Sequence, residues 1–346
     1  MERVIKWLRP HPSRGDVIAA GAVPLSVLAF VIPLRMTQWA TGPKFVVVAV
    51  IAMLLFTMGW LAPLEDEAPR AYHTVLLVAG LLPMIVALVL FAELIGAAHP
   101  PGAGGFVWVF LIETALAWAS ARRANSGACT LIAAVAGAGF VFAFVAWAFK
   151  PHSLDTYRAM VVVLTLGYAA GSLRLRERRR RHAVQLINAG GLLTLLLAVT
   201  YLESTLLVVH GGGLLPTSFG FFGSLSAPFG WKLWILIVAF GLVAYAGVDR
   251  ERGPAYIGVV MLLAFALLVG YSVSSRGSLV GWPLFLLIIG AGGVAIGLRP
   301  RAPLPPEPPT RPHVPPTVQP EPAPTERLWE SPPPPPTIPF ERSDDE

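Results

Sequence analysis

The sequence predicts an all-α, polytopic membrane protein with about ten transmembrane helices, both termini on the cytoplasmic side, and a disordered Pro-rich tail. Three observations predict it. Of the residues, 55% are hydrophobic and only 13% charged, where a soluble domain carries about a quarter of its residues as charges. The apolar residues fall into ten runs, each near the roughly 17 to 25 residues that cross a bilayer. The connections between them are alternately rich and poor in Lys and Arg.

The first run, 16–35, follows the basic stretch MERVIKWLRPHPSR and continues through Pro33 without a small-residue cleavage pattern, so it reads as a retained signal anchor. The second, 44–63, runs from Lys44 to the acidic turn at Glu65, Asp66 and Glu67. The third and fourth, 71–98 and 104–121, begin after Arg70 and end before Arg122 and Arg123. The fifth, 128–149, stops at Lys150, and the sixth, 158–174, reaches the cluster that starts at Arg174. The seventh, eighth and ninth cover 183–209, 231–248 and 255–275, and the tenth, 279–298, ends at Arg299.

With the N-terminus placed inside, the inner segments of residues 1–298 hold fifteen Lys and Arg and the outer segments six. Cytoplasmic loops carry this excess, and acidic residues count for little in the rule, so both termini belong inside. Localisation follows as a multi-pass protein of the inner, or plasma, membrane. The organisation is then a basic cytoplasmic segment at 1–15, a bundle at 16–298 and a tail at 299–346. Pro24, Pro83 and Pro283 interrupt helical runs and would bend helices or break them into transporter-type segments.

The tail contains 18 of the 33 prolines and carries a net charge of −3. It has too few large apolar side chains for a core and should form disordered and polyproline II stretches, notably at 332–336. Pro306, Pro309 and Arg311 fit the PxxPxR spacing read by aromatic-lined grooves, so a cytoplasmic protein is a candidate partner through residues 301–346. A spacer without a partner is the plain alternative, since such spacings recur by chance in a Pro-rich tail.

The run RERRRRH at 176–182 sets topology first. Arg176, Arg178, Arg179, Arg180 and Arg181 could also contact anionic lipid, each worth on the order of 1 kcal/mol near the headgroups. Nucleic acid is excluded as a partner, because neither a folded basic module nor stacking aromatics accompany the run. The single cysteine, Cys129, rules out a disulfide framework or thiolate metal cluster and reads as a packing residue. No sequence motif calls for a cofactor. His210 to Gly213 spells HGGG, but no GxSxG elbow accompanies it, so an enzyme ranks behind the other readings.

A charge in hydrocarbon costs roughly 2.5 to 3.5 kcal/mol even on lenient scales, so intramembrane ionisable residues point to function. Glu113, near the middle of the fourth run, is the candidate coupling carboxyl, able to carry a proton or bind a cation. The bland reading is a protonated side chain hydrogen-bonded to a neighbouring helix. Toward the outer face lie Glu93, His99, His152, Asp155, Glu203 and His210, which would form a divalent-metal or pH-sensing cluster if they converged. Their spacings match no ligand motif, and exposed loop side chains are the simpler reading.

The connection GGGLLPTSFGFFGSLSAPFG, 211–230, has no charge and four phenylalanines. It reads as a re-entrant segment or as an aromatic-belt loop resting on headgroups. Gly167 with Gly171, and Gly293 with Gly297, have the spacing of close helix packing. Hairpins formed by helices two and three, four and five, six and seven, and eight and nine share a plan: an inward helix ending near an aromatic (Trp60, Trp118, Tyr168, Tyr245), a charged turn, and an outward helix.

The stretch from GWKLWILIVAFGLVAYAGVDRERGPAYIGVVMLLAFALL through LVGWPLFLLIIGAGGVAIGLRPRAP, roughly 230–305, resembles uncharacterised multi-span membrane proteins of high-GC bacteria that end in a Pro-rich tail. The resemblance implies no activity and no site residues. Two functional readings remain. One is a transporter or channel-like protein for a small solute, ion or lipid, with Glu113 as coupling carboxyl. The other is a non-transporting scaffold or sensor that recruits a cytoplasmic partner through its tail. A polar cavity at Glu113 would favour the first, and a sealed bundle would sink it.

Overall fold

The computed structural model describes residues 15–63, 70–97, 101–151, 153–210 and 228–274, with side chains of 202–210 and 270–274 left out. The chain divides into two units, Met1–Val280 and Gly281–Glu346; the first holds every described residue. The expected tenth helix, the tail, the N-terminal segment to residue 14 and most of the Phe-rich connection (211–227) lie outside the described residues.

Nine α-helices are present among the described residues: α1 Gly15–Arg35, α2 Thr41–Leu61, α3 Ala71–Leu94, α4 Ala103–Ala124, α5 Gly127–Phe149, α6 Leu154–Leu175, α7 Arg180–His210, α8 Phe229–Asp249 and α9 Arg252–Ser274. All nine contain a stretch long and apolar enough to cross a membrane, which makes this an integral membrane protein of the helical class. Eight are 21 to 24 residues long, about 30 to 36 Å at 1.5 Å per residue, the thickness of a bilayer's hydrocarbon.

The distribution of side chains is that of a protein solvated by lipid. Large apolar groups point outward: Val17, Leu34, Phe149, Val163, Leu173 and Val248 are each at least 68% exposed. Many interior positions are small, with Ala19, Ala22, Ala79, Ala117, Ala121 and Ala133 buried at helix contacts beside Leu55, Leu76, Leu77 and Leu81. Lipid tails are as apolar as leucine, so association rests on close backbone approach rather than on hiding apolar area from water.

Successive helices pack as four hairpins, α2 with α3, α4 with α5, α6 with α7, and α8 with α9, while α1 lies on α2 and α3. The hairpins join in series because α3 packs on α5, α5 on α7, and α7 on α9. The second helix of each hairpin turns a glycine toward the first. A Cβ on Gly80 would sit 2.5 Å from the backbone nitrogen of Phe56, one on Gly139 2.9 Å from the Phe110 ring, one on Gly190 3.3 Å from Thr165, and one on Gly258 2.9 Å from the Ala239 carbonyl oxygen. The weak hairpin plan in the sequence thus corresponds to a repeated mode of packing. Of the Gly167–Gly171 pair, a Cβ on Gly171 would sit 3.4 Å from Leu186 of α7, whereas one on Gly167 would meet nothing within 4 Å.

The connections split between two ends as the Lys and Arg count requires. At one end the Arg123 guanidinium lies 4.8 Å from the Trp60 ring centroid, the Ser126 hydroxyl donates to Thr74 at 3.5 Å, and Arg176 meets Asp249. These contacts gather the α2–α3, α4–α5, α6–α7 and α8–α9 turns. At the other end, Phe91 packs against Phe45 and edge-on to Trp108, with centroids 5.6 and 6.2 Å apart, and the Arg158 guanidinium sits 4.1 Å from the Tyr201 centroid. The first end carries the Arg excess and is called the inner end, after the sequence expectation.

Several boundaries differ from the hydropathy reading for clear reasons. Helix α3 stops at Leu94 rather than 98, because Gly96 at φ 98° closes it: Gly96 N–H bonds the Glu93 carbonyl and Ala97 N–H the Ala92 carbonyl, a Schellman cap. Helices α4, α7 and α9 run farther into the inner polar layer, taking in Arg122, Arg123, Arg180, Arg181 and Arg252, since long basic side chains keep their heads in the headgroup layer. Pro24 and Pro83 lie inside continuous helices α1 and α3.

Candidate functional site

Glu113 is the eleventh of the 22 residues of α4, at the midpoint of its crossing. It belongs to the stripe Val109, Glu113, Ala117, Ser120, Ala121 and Ala124, the buried face of α4. Below it, Ala117, Ala121 and Ala124 pack with Leu77 and Leu81 of α3 and with Cys129 and Ala133 of α5. The carboxyl is 0% exposed, and neither of its oxygens has a hydrogen-bond partner. The expected hydrogen bond to a neighbouring helix is therefore not made, and the interface around the side chain is closed rather than an open polar cavity.

Magnitudes show how unusual this is. An unpaired buried polar group costs about 1–3 kcal/mol, and an ionised carboxylate without a partner far more. Two carboxyls are buried among the described residues, Glu113 and Asp249. Asp249 has Arg176 as its ion-pair partner, whereas Glu113 has none. Two turns away on the same face of α4, the Ser120 hydroxyl is paired, donating to the Leu116 carbonyl at 2.8 Å.

Beneath Glu113, at the inner end, lies a polar cluster that sequence reading missed. Asn125 caps α4 in the left-handed conformation at φ 48°, which asparagine tolerates better than most residues. Its side-chain oxygen accepts from His182 Nε2–H at 2.8 Å, leaving Nδ1 to accept the Thr130 hydroxyl at 2.5 Å. His182 begins α7, and Thr130 is in the first turn of α5, so the bonds tie three helices. Thr130, Ser126 and His182 are all buried. His73, in the first turn of α3, is also buried at this end. The available signal was position: His73, Thr130 and His182 each stand just inside the second helix of a hairpin.

The two halves of the α3–α4–α5 interface differ sharply. The inner half buries Ser120, Ser126 and Thr130 beside the apolar Leu77, Leu81, Ala121 and Cys129, whereas the outer half buries Val109 and Ala143. Glu113 sits between them.

The basic run serves packing as well as topology. Arg176 bonds the Asp249 carboxylate, and Arg180 donates to the Asp249 backbone carbonyl. Both arginines thus satisfy and neutralise the C-terminal end of α8, where the helix dipole favours cations. Arg176 and Arg180 are thereby engaged in protein contacts. Arg178, Arg179 and Arg181 are exposed at the same end.

Among the outer residues, Asp155 pairs with Arg158 at 2.9 Å and is 75% exposed, while Arg158 is 13% exposed over Tyr201. Asp155 therefore orients an arginine. Glu93 is half-buried in the last turn of α3. His99 and His152 lie outside the described residues, as do the side chains of Glu203 and His210 in α7. Among the described residues no three His, Cys, Asp or Glu side chains come together as a metal-holding group. Comparison with protein-family models and with curated proteins finds no match to this chain.

Proposed function

We propose that Glu113 is the functional residue of this membrane protein, as the protonating or cation-binding carboxyl of a transporter for a small solute, ion or lipid, although its sealed interface is the arrangement expected of a non-transporting scaffold. One observation carries the reading: a carboxyl at the midpoint of α4 is fully buried with both oxygens unpartnered. Such a group opposes stability, and packing gives it nothing in return, which is how intramembrane ionisable residues mark coupling sites. The closed interface speaks against a standing channel; transport would require the helices around Glu113 to part during a cycle. The inner-end Arg excess supports placement in the plasma membrane with both termini inside, and exposed Arg178, Arg179 and Arg181 support contact with anionic lipid.

The same closure favours a second reading, a membrane scaffold or sensor that recruits a cytoplasmic protein through residues 301–346. The two part company in a strain lacking the protein, complemented either with Glu113→Gln or with a chain deleted for 301–346. Loss of complementation with Glu113→Gln alone supports coupled transport. Loss with the deletion alone transfers the assignment to the scaffold.

A further inference from the structure

Independently of Glu113, we infer that the inner corner where the α6–α7 and α8–α9 turns meet is a built site for the headgroup of an anionic phospholipid, which deepens the contact ascribed above to Arg178, Arg179 and Arg181. Arg176 bonds the Asp249 carboxylate and Arg180 the Asp249 backbone carbonyl, so the two turns are held side by side. This brings Arg250 and Arg252 next to the basic run. Residues 174–181 and 249–252 together hold eight arginines against Glu177, Asp249 and Glu251, and the Asp249 carboxylate is engaged by Arg176. The corner therefore keeps a positive excess that an anion neutralises.

The residues of the corner favour phosphate recognition over positive charge alone. Topology is set by lysine and arginine alike, and the chain has Lys44, Lys150 and Lys232 at the opposite helix ends. Every cation of this corner is an arginine, whose planar guanidinium takes two phosphate oxygens at once. Arg250 ends α8 in the left-handed conformation at φ 55°, a position that favours glycine. Its side chain is exposed, so a strained backbone holds a guanidinium at the surface. Leu173 and Val248, directly before Arg174 and Asp249, are exposed as well. A phospholipid lays its acyl chains on such apolar side chains while its phosphate meets the arginines, whereas a free anion uses the arginines alone.

The test titrates the full chain, purified in dodecyl maltoside, with phosphatidylglycerol, phosphatidylcholine or inorganic phosphate, and reads bound lipid by native mass spectrometry together with the unfolding midpoint. Phosphatidylglycerol should bind and raise the midpoint, and the other two probes should do neither. Arg250→Gly should weaken that binding about fivefold, the factor that one arginine at the headgroups carries. Without lipid the same variant should unfold no earlier than the parent, because glycine suits φ 55°. Arg122→Gln removes an exposed charge from the inner end of α4 and should bind the lipid as the parent does. Equal weakening by Arg122→Gln overturns the built site and leaves only a diffuse contact. A matching response to inorganic phosphate assigns the corner to a free anion, and a response that emerges only when 301–346 is deleted assigns it to the acidic tail. Either result overturns the proposal, as does the absence of binding, and none of them bears on the assignment of Glu113.

Discussion

Arg176 at the end of α6 holds the carboxylate of Asp249 at the end of α8, joining two hairpins across 73 residues of sequence. The carboxylate is nearly buried while the arginine is 43% exposed, so solvent screens part of the attraction. Arg176→Gln should lower stability by about 1–2 kcal/mol, between the values for exposed and buried pairs. Thermal unfolding of the detergent-solubilised protein measures it. The exchange Arg176→Asp with Asp249→Arg should recover part of the loss, and a double variant no better than the worse single one would show that the pair itself contributes nothing.

Gly80 and Gly167 should respond oppositely to the same change. A methyl group on Gly80 enters the backbone of Phe56, and overpacking of this kind costs about 1–3 kcal/mol. Gly167 faces open space, so Gly167→Ala should be neutral or stabilising by up to about 1 kcal/mol through helix propensity. Unfolding midpoints of the two variants check this, and a larger loss at 167 than at 80 would contradict the packing described.

Asp155 and Arg158 separate a surface ion pair from an aromatic contact. Asp155→Asn removes an exposed charge and should change stability by less than about 1 kcal/mol. Arg158→Ala removes the guanidinium from Tyr201 as well and should cost more, about 1–2 kcal/mol. Equal effects would mean that the Tyr201 contact contributes nothing beyond the ion pair.

Glu113→Leu should raise the unfolding midpoint, because it replaces an orphaned carboxyl with a side chain of similar size that belongs in an apolar interface. The expected gain is about 1–3 kcal/mol, accompanied by loss of complementation. A marked drop in stability would reveal a bonding partner for Glu113 and remove the reason for reading it as functional.

The class and nine of the helices were legible because bilayer thickness dictates span length. Glu113 stood out for the same reason, as a charge where hydrocarbon penalises one. The His182–Thr130 bond was not legible: its partners are 52 residues apart, and each looks ordinary in its own segment, one ending a basic run and the other following Cys129. Gly167 misled, although Gly171 four residues on does meet α7, because the spacing is a necessary feature of close packing whereas the facing side chains decide where it occurs. Gly96, which ended α3 early, acts through a positive φ that hydropathy does not register.

The most direct test of the account is whether the interface around Glu113 ever opens in the folded protein. With Cys129→Ala and Glu113→Cys, a membrane-impermeant thiol reagent applied to both faces of native membranes reads this as a rate. The account predicts slow labelling that proceeds to completion while the protein stays folded. A thiol that remains unreactive from both faces, yet reacts fully once the protein is denatured, would contradict it and leave a sealed scaffold.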